Sequence, residues 1–288
     1  MRHLITTLSS LLLLLPLSSS AQGGPTDGYR LVWCDEFDYE GAPRSADWNF
    51  ETGFVRNREL QWYQPQNAAC HDGVLCITAH REQKPNPYYC PDDKAWGAQR
   101  EQIECTSACL ITEGKHEFLY GRFEVRARIP GARGTWPAIW FKGANGLPWP
   151  QRGEIDLMEF YPKGSTAMLH ANACWGGKGG SSAWRSKAVP MHHFTQRDSL
   201  WTTQFHVWRM DWTEDYIRLY LDDELLNDIN IRNVSNAEGH PGAGTNPFHT
   251  PMFLLLNLAM GSSGGKVDEA ALPARFEVDY VRVYQRSK

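Results

Sequence analysis

Runs in which apolar and polar residues alternate with a period of two recur along the whole chain. The clearest are YRLVW (29–33), GVLCITAH (73–80), YGRFEVRARI (120–129), WPAIWFK (136–142), FHVWRMDW (205–212), YIRLYLDD (216–223), MFLLLNLAM (252–260) and FEVDYVRVYQ (276–285). Side chains on a strand point alternately to its two faces, so each run predicts a β-strand. FEVRARI and FEVDYVRVY predict strands with one wet face. MFLLLNLAM is apolar on both faces, which predicts a central strand between packed layers. Turn residues separate the runs: His71-Asp72-Gly73, the stretch Pro130 to Gly134, Asp222-Asp223-Glu224, and the Gly- and Pro-rich 236–248. No helical period lasts beyond a turn or two, and strands do not alternate with helices, which argues against an α/β fold. With no repeat and no linker, the expectation is one all-β domain over 22–288, an antiparallel β-sandwich.

Composition sharpens this in three ways. The first residues, MRHLITTLSSLLLLLPLSSSAQ, pair Arg2 and His3 with a short apolar run and small residues. That pattern predicts a cleaved secretory signal over 1–21, and hence a secreted or periplasmic protein. The net charge of −4 comes without a basic tract, which disfavours nucleic acid and anionic membrane as partners. Aromatic residues make up 12% of the chain, with 12 Trp; on a secreted all-β protein that excess suits stacking on sugar rings as well as a core. An odd count of 7 Cys leaves at least one thiol free, and Cys70 and Cys76 flank a turn as a cross-hairpin disulfide pair would.

The candidate chemistry lies in GEIDLMEF, Gly153 to Phe160. It sets Glu154, Asp156 and Glu159 into a stretch that otherwise reads as a buried strand, and burying even one unpaired charge is costly. Glu154 and Asp156 share a face; Glu159 is out of phase with both. A β-bulge at Leu157-Met158 absorbs one residue and returns Glu159 to their face. Glu154 and Glu159 are then about four strand steps apart, on the order of 13 Å between Cα atoms. Side chains leaning inward leave about 5 Å between carboxyl groups, near the separation of retaining glycosidases and short of the roughly 6.5–9.5 Å of inverting ones. On the residues alone three readings stay open: catalysis by paired carboxylates, calcium binding, and a solvated acidic face. GSSGG (261–265) also fits the Gly-x-Ser-x-Gly pattern of serine hydrolases, but no His follows Ser263 and the topology is not α/β.

GEIDLME resembles the bulged Glu-x-Asp-x-x-Glu signature of glycoside hydrolase family 16. WCDEFDYEG (33–41), NRELQWY (57–63), YGRFEVRARIP (120–130), GTWPAIW (134–140), NLAMG (257–261) and FEVDYVRVYQ resemble further family blocks in the same order. The resemblance implies a β-jelly roll of the concanavalin A-like kind, two curved antiparallel sheets with a glycan cleft on the concave side. It implies a retaining endo-β-glycosidase, with Glu154 as nucleophile, Asp156 assisting it and Glu159 as acid/base, and no cofactor for catalysis. The expected substrate is a β-1,3-glucan of laminarin type, bound by a monomer. A β-galactan or other galactose-containing glycan is the alternative, as is a non-catalytic glycan-binding jelly roll.

By the same resemblance Asn57, Trp136 and Trp140 contact sugar. Trp149 sits in a Pro-flanked loop, poorly placed for a core and suited to stacking on substrate. His170 and Trp175, on the strand expected after the catalytic one, are further substrate-binding candidates. Glu36 and Asp279, with a backbone carbonyl near Gly73, resemble a structural calcium site on the convex face. Three departures bear on the substrate: Cys109 stands where many laminarin-active members have Arg, Arg58 interrupts an Asn-Asn-Glu, and GSSGG replaces a Trp-containing Gly-rich motif.

Overall fold

The computed structural model describes residues 28–287. They form two sheets, one of ten strands and one of seven. In the seven-stranded sheet the order is Ser182–Pro190, Thr166–Gly176, Glu154–Lys163, Thr135–Gly143, Met252–Met260, Cys109–Ile111 and Asn49–Phe50. The larger sheet runs from Glu224–Asn230 through Tyr216–Leu221, His206–Trp212, Gly121–Arg128, Ala274–Arg286 and Val74–Pro85 to Gln102–Ser107 and Gln61–Tyr63. Pairing is antiparallel except at the edge, where Gln61–Tyr63 runs parallel to Gln102–Ser107. This is the antiparallel β-sandwich that the alternating runs predict, in the jelly-roll form that the resemblance implies.

The period of two carries through to burial. Gly121–Arg128 alternates buried and half-exposed at every step, whereas every residue of Met252–Met260 is buried. Met252, Leu254, Leu256, Leu258 and Met260 join the main core between the sheets. Phe253 and Leu255 face the other way, into a smaller cluster with Tyr63, Cys109, Ala138 and Trp140. That second cluster lies beneath part of the concave face, which is why the strand is apolar on both sides.

The wet face of the larger sheet is covered with ion pairs: Arg122 with Asp211, Arg128 with Glu277, Arg126 with Asp279, and Arg282 in a two-pronged contact with Glu36 at 2.8 and 2.7 Å. Two calcium candidates are thereby engaged by arginines. Gly73 sits in a tight turn with φ +76°, and among the described residues no three His, Cys, Asp or Glu side chains stand together as a metal site would need. Glu36 and Asp279 thus each already face a cation, Arg282 and Arg126.

The cross-hairpin disulfide is likewise not formed; all seven cysteines are free thiols. Cys70 pairs in register with Leu75 and Cys76 with Ala69, so the two thiols leave opposite faces of the hairpin.

Candidate active site

Glu154, Asp156 and Glu159 come together through the expected bulge. Against Thr166–Gly176, Asp156 faces Asn172 and Glu159 faces His170, so Leu157 and Met158 oppose Ala171 alone. Both bulge residues turn into the main core, and their apolar side chains are what makes the extra residue stable there. Gly153, at φ +82°, starts the strand where a Cβ would stand 2.8 Å from Pro247, so the chain needs glycine just before the first carboxylate.

The registers build the cleft floor in three cross-strand rows. Trp184, Cys174, Glu154 and Lys142 form one. Ser186, Asn172, Asp156 and Trp140 form the next, and Ala188, His170, Glu159, Ala138 and Asn257 the third. Above them is a cleft of about 570 Å³, walled also by Arg56, Asn57, Glu59, Trp136, Trp149 and Tyr161.

The acids are held by neutral donors. Asn172 Nδ2 donates to Asp156 Oδ2 at 3.1 Å and to Glu159 Oε2 at 3.3 Å. The Trp136 indole donates to Glu159 Oε1 at 2.9 Å. Trp149, 53% exposed at the cleft wall, donates its indole N–H to Glu154. Burial pushes Glu154 up to about 7, against the opposing pull of Lys142, the Trp149 hydrogen bond and Arg56. Burial and the charge of Glu154 push Glu159 higher, to about 8. Asp156 lies between them and is raised well above the ordinary range by burial, Glu159 and Glu154. Burial and mutual repulsion thus keep a proton within the trio near neutral pH, which a general acid requires.

A second electrostatic feature surrounds Glu154. Lys142 stands directly opposite it across the sheet and reaches Glu51 at 3.5 Å. Arg56 pairs with the same Glu51, and both cations lie 5.1 Å from the centre of the Trp140 ring. Cys109 is fully buried beside them. Beside Cys109, the nearby cation comes from the loop, as Arg56. Removing Lys142 takes away the cation facing Glu154 most directly, so Glu154 holds its proton to higher pH. Lys142→Met is expected to move the acidic limb of the pH–activity profile upward by on the order of one pH unit, with the alkaline limb in place. An unmoved acidic limb would remove Lys142 from this role.

Asn57, Trp136, Trp140 and Trp149 therefore all reach the cleft, as expected. Asn57 does so from a left-handed conformation, φ +54°, with its Nδ2 donating to Glu59 at 3.0 Å. Trp140 is 8% exposed, its indole N–H committed to Asn257 Oδ1 at 2.7 Å. Trp175 is a correction. It lies at an odd position beside His170, Asn172 and Cys174, so it points to the opposite face and packs in the main core against Phe248. His170 shares the cleft face but backs it: its ring stacks on Tyr161 at 3.7 Å, and Tyr161, not His170, lines the cleft. Burial lowers the His170 pKa and keeps it neutral.

The sequence reading did not single out Arg56, Glu59, Lys142, Tyr161, Asn172 or Trp184. Lys142 had a visible signal, being two and six residues from Trp140 and Trp136 on one strand face. Asn172 had the same relation to His170. Arg56 and Trp184 had none. The GSSGG turn forms a wall beside Asn57, where the Ser262 hydroxyl donates to the Asn57 carbonyl at 2.7 Å; Ser263 lines the cleft from the single 3-10 turn Ser262–Gly264.

The sequence model of glycosyl hydrolases family 16 matches residues 59–282. The chain belongs to that family. It is 38% identical to a β-glucanase of Rhodothermus marinus, over 89% of this chain and 85% of that protein. The laminarinase catalytic domain of Thermotoga maritima superposes with a TM-score of 0.73 at 33% identity, over 91% of this chain and all of that one. A structure described for endo-acting O-glycanases with which prominent human gut bacteria initiate mucin breakdown superposes with a TM-score of 0.81 at 30% identity, covering 93% and 94% of the two chains. This family-16 chain is a retaining endo-β-glycosidase, and its geometry supplies the steps. In a retaining mechanism one carboxylate attacks the anomeric carbon while a second carboxyl group gives its proton to the departing oxygen and then takes one from the water that cleaves the glycosyl ester; Glu154 and Glu159, on one cleft face with Asp156 between them, are placed as such a pair. No cofactor enters these steps.

Proposed function

We propose that this protein hydrolyses internal β-1,3 bonds of a laminarin-type β-glucan, as a monomer secreted by way of its N-terminal segment, which lies outside the described residues. The observation that carries the reading is the aromatic walling of the reaction centre. Trp136, Trp149 and Trp184 flank the three carboxylates, and rings of this kind pack against the apolar faces of neutral sugars while leaving orientation to a few polar groups. The likeness to the R. marinus and T. maritima enzymes supports it.

A second reading, a galactose-containing glycan of algal, plant or mucin type, is favoured by one specific feature. Cys109, fully buried beside Arg56 and Lys142 near Glu154, departs from the laminarin pattern of the resemblance, and the TM-score of 0.81 is to a mucin-directed protein.

The test is a panel of laminarin, mixed-linkage glucan, agar-type galactan and mucin, with products sized over time. Oligosaccharides released from laminarin in mid-sized ladders support the first reading. Release only from galactan or mucin replaces it with the second, and binding without release from any of the four would defeat both.

A further inference from the structure

On the far side of the cleft wall is a second concavity that catalysis does not use. It has a volume of about 280 Å³ and is lined by Phe54, Val55, Trp62, Tyr88 and Trp96 among others. The strand Gln61–Tyr63 separates the two sites. Tyr63 turns towards the cleft side, where its hydroxyl meets Asn257 and Glu59; Trp62 turns the other way and forms the floor of the second groove.

We propose that this groove is a second glycan-binding site, taking one neutral pyranose ring of the same polysaccharide whose bond is cut in the cleft. The proposal rests on the polysaccharide-hydrolase reading and adds a site to it.

Four observations carry it. First, the aromatic groups form a platform rather than a core. Tyr88 lies over Trp62, with ring centres 5.6 Å apart and planes 28° apart, yet is 68% exposed, and Val55 and Tyr89 beside it are 39% and 43% exposed. Burial does not account for a large ring held open to water, whereas a ligand does. Second, the groove carries uncommitted polar groups. Among the described residues no hydrogen bond takes up the Trp62 or Trp96 indole N–H or the Tyr88 hydroxyl. Aromatic faces with a few free donors are the chemistry that a sugar ring's C–H face and hydroxyls require.

Third, the wall is built in advance. Asn86 is 5% exposed, and its Nδ2 donates to the carbonyls of Gly97 at 2.9 Å and Arg100 at 2.7 Å while its Oδ1 accepts from the Tyr88 N–H at 3.0 Å. These bonds close the 86–100 loop on itself, so little ordering remains to oppose binding. Fourth, the groove lies close behind the cleft, tied to it through Arg100. Arg100 packs 4.2 Å from the centre of Phe54 and donates to the carbonyls of Glu59 and Leu60, and Glu59 is a cleft residue. Glu59 and Trp62 are three residues apart, roughly 10 Å of chain, a span that a few linked sugars cover.

The test uses the full chain carrying Glu154→Gln, so that polysaccharide binds without being cut, in native gels cast with laminarin or soluble galactan. Adding Tyr88→Ala and Trp96→Ala together is expected to weaken retardation roughly tenfold, with an unchanged melting temperature. Tyr88→Phe is expected to restore most of it, because the ring face is what binds. In the Glu154-containing protein the same pair should raise KM on polysaccharide about tenfold and leave kcat within twofold. Equal retardation with and without the pair, in a protein that cleaves the polysaccharide, overturns the second site alone. A protein that neither binds nor cleaves any of the polysaccharides overturns the reading on which it rests.

Discussion

Glu154→Gln is expected to reduce polysaccharide cleavage by roughly 10⁴–10⁶-fold, the scale seen when a covalent nucleophile is removed from a preassembled site. Gln keeps the shape and the hydrogen bond from Trp149, so substrate affinity should persist, and the loss should appear in kcat. The reason is specific to this side chain. Asp156 lies buried between the two Glu residues, its carboxyl raised well above the ordinary range, which makes it a poor substitute as an attacking carboxylate. Reducing-end assays at saturating polysaccharide read the effect. Retention of more than about a hundredth of the activity would take the nucleophile role from Glu154.

Glu159→Gln is expected to cost about 10²–10⁴-fold on polysaccharide, in a pattern that identifies its role. A sugar oxygen is a poor leaving group and needs the proton of Glu159; a dinitrophenolate does not. With an aryl glycoside of that kind, the first step should run at near the original rate and the second, which needs the base, should stall. A burst of phenolate followed by a slow phase is the expected trace, and azide should speed the slow phase because it attacks without being deprotonated. Absence of both burst and rescue would separate Glu159 from acid/base catalysis.

The same substitution carries a stability signature. Glu159 rises from its ordinary 4.5 to about 8 in the folded protein. Folded chains therefore hold a proton that unfolded chains release, and stability is full below about 4.5 and declines as pH rises through about 8. Gln has no proton to lose. At pH 8–9 Glu159→Gln should melt above the parent protein, by the equivalent of about 1–3 kcal/mol, and the difference should vanish towards pH 5. The activity profile of the parent follows from the same values. It falls below about 7, as Glu154 takes up a proton, and above about 8, as Glu159 loses one, with both limbs belonging to the interacting trio rather than to one residue.

Much of this was legible in the chain because the relevant rule is local. Alternation places Trp136 and Trp140 on one face, and the odd spacing of Glu159 demands a bulge where Leu157 and Met158 can be buried. The same parity rule, applied to HANACW, would have sent Trp175 to the core once His170 and Asn172 were on the cleft face. Cys70 and Cys76 fail as a disulfide for that reason too, since their hairpin register puts them back to back. Arg56 and the 86–100 loop had no such rule. Arg56 is placed by Trp140, and the 86–100 loop by Glu59 and Phe54, partners that lie far along the sequence and meet only on folding.

The sequence by itself determined the sheets, the bulge and the three acids, because strand periodicity and the cost of buried charge act between near neighbours. Only the tertiary structure decided how strongly the three acids are pushed up together, which cations stand beside the nucleophile, and that a second aromatic groove backs the cleft. Those depend on burial and on Coulomb contacts between distant segments, and both fall off over a few ångströms that no spacing along the chain records.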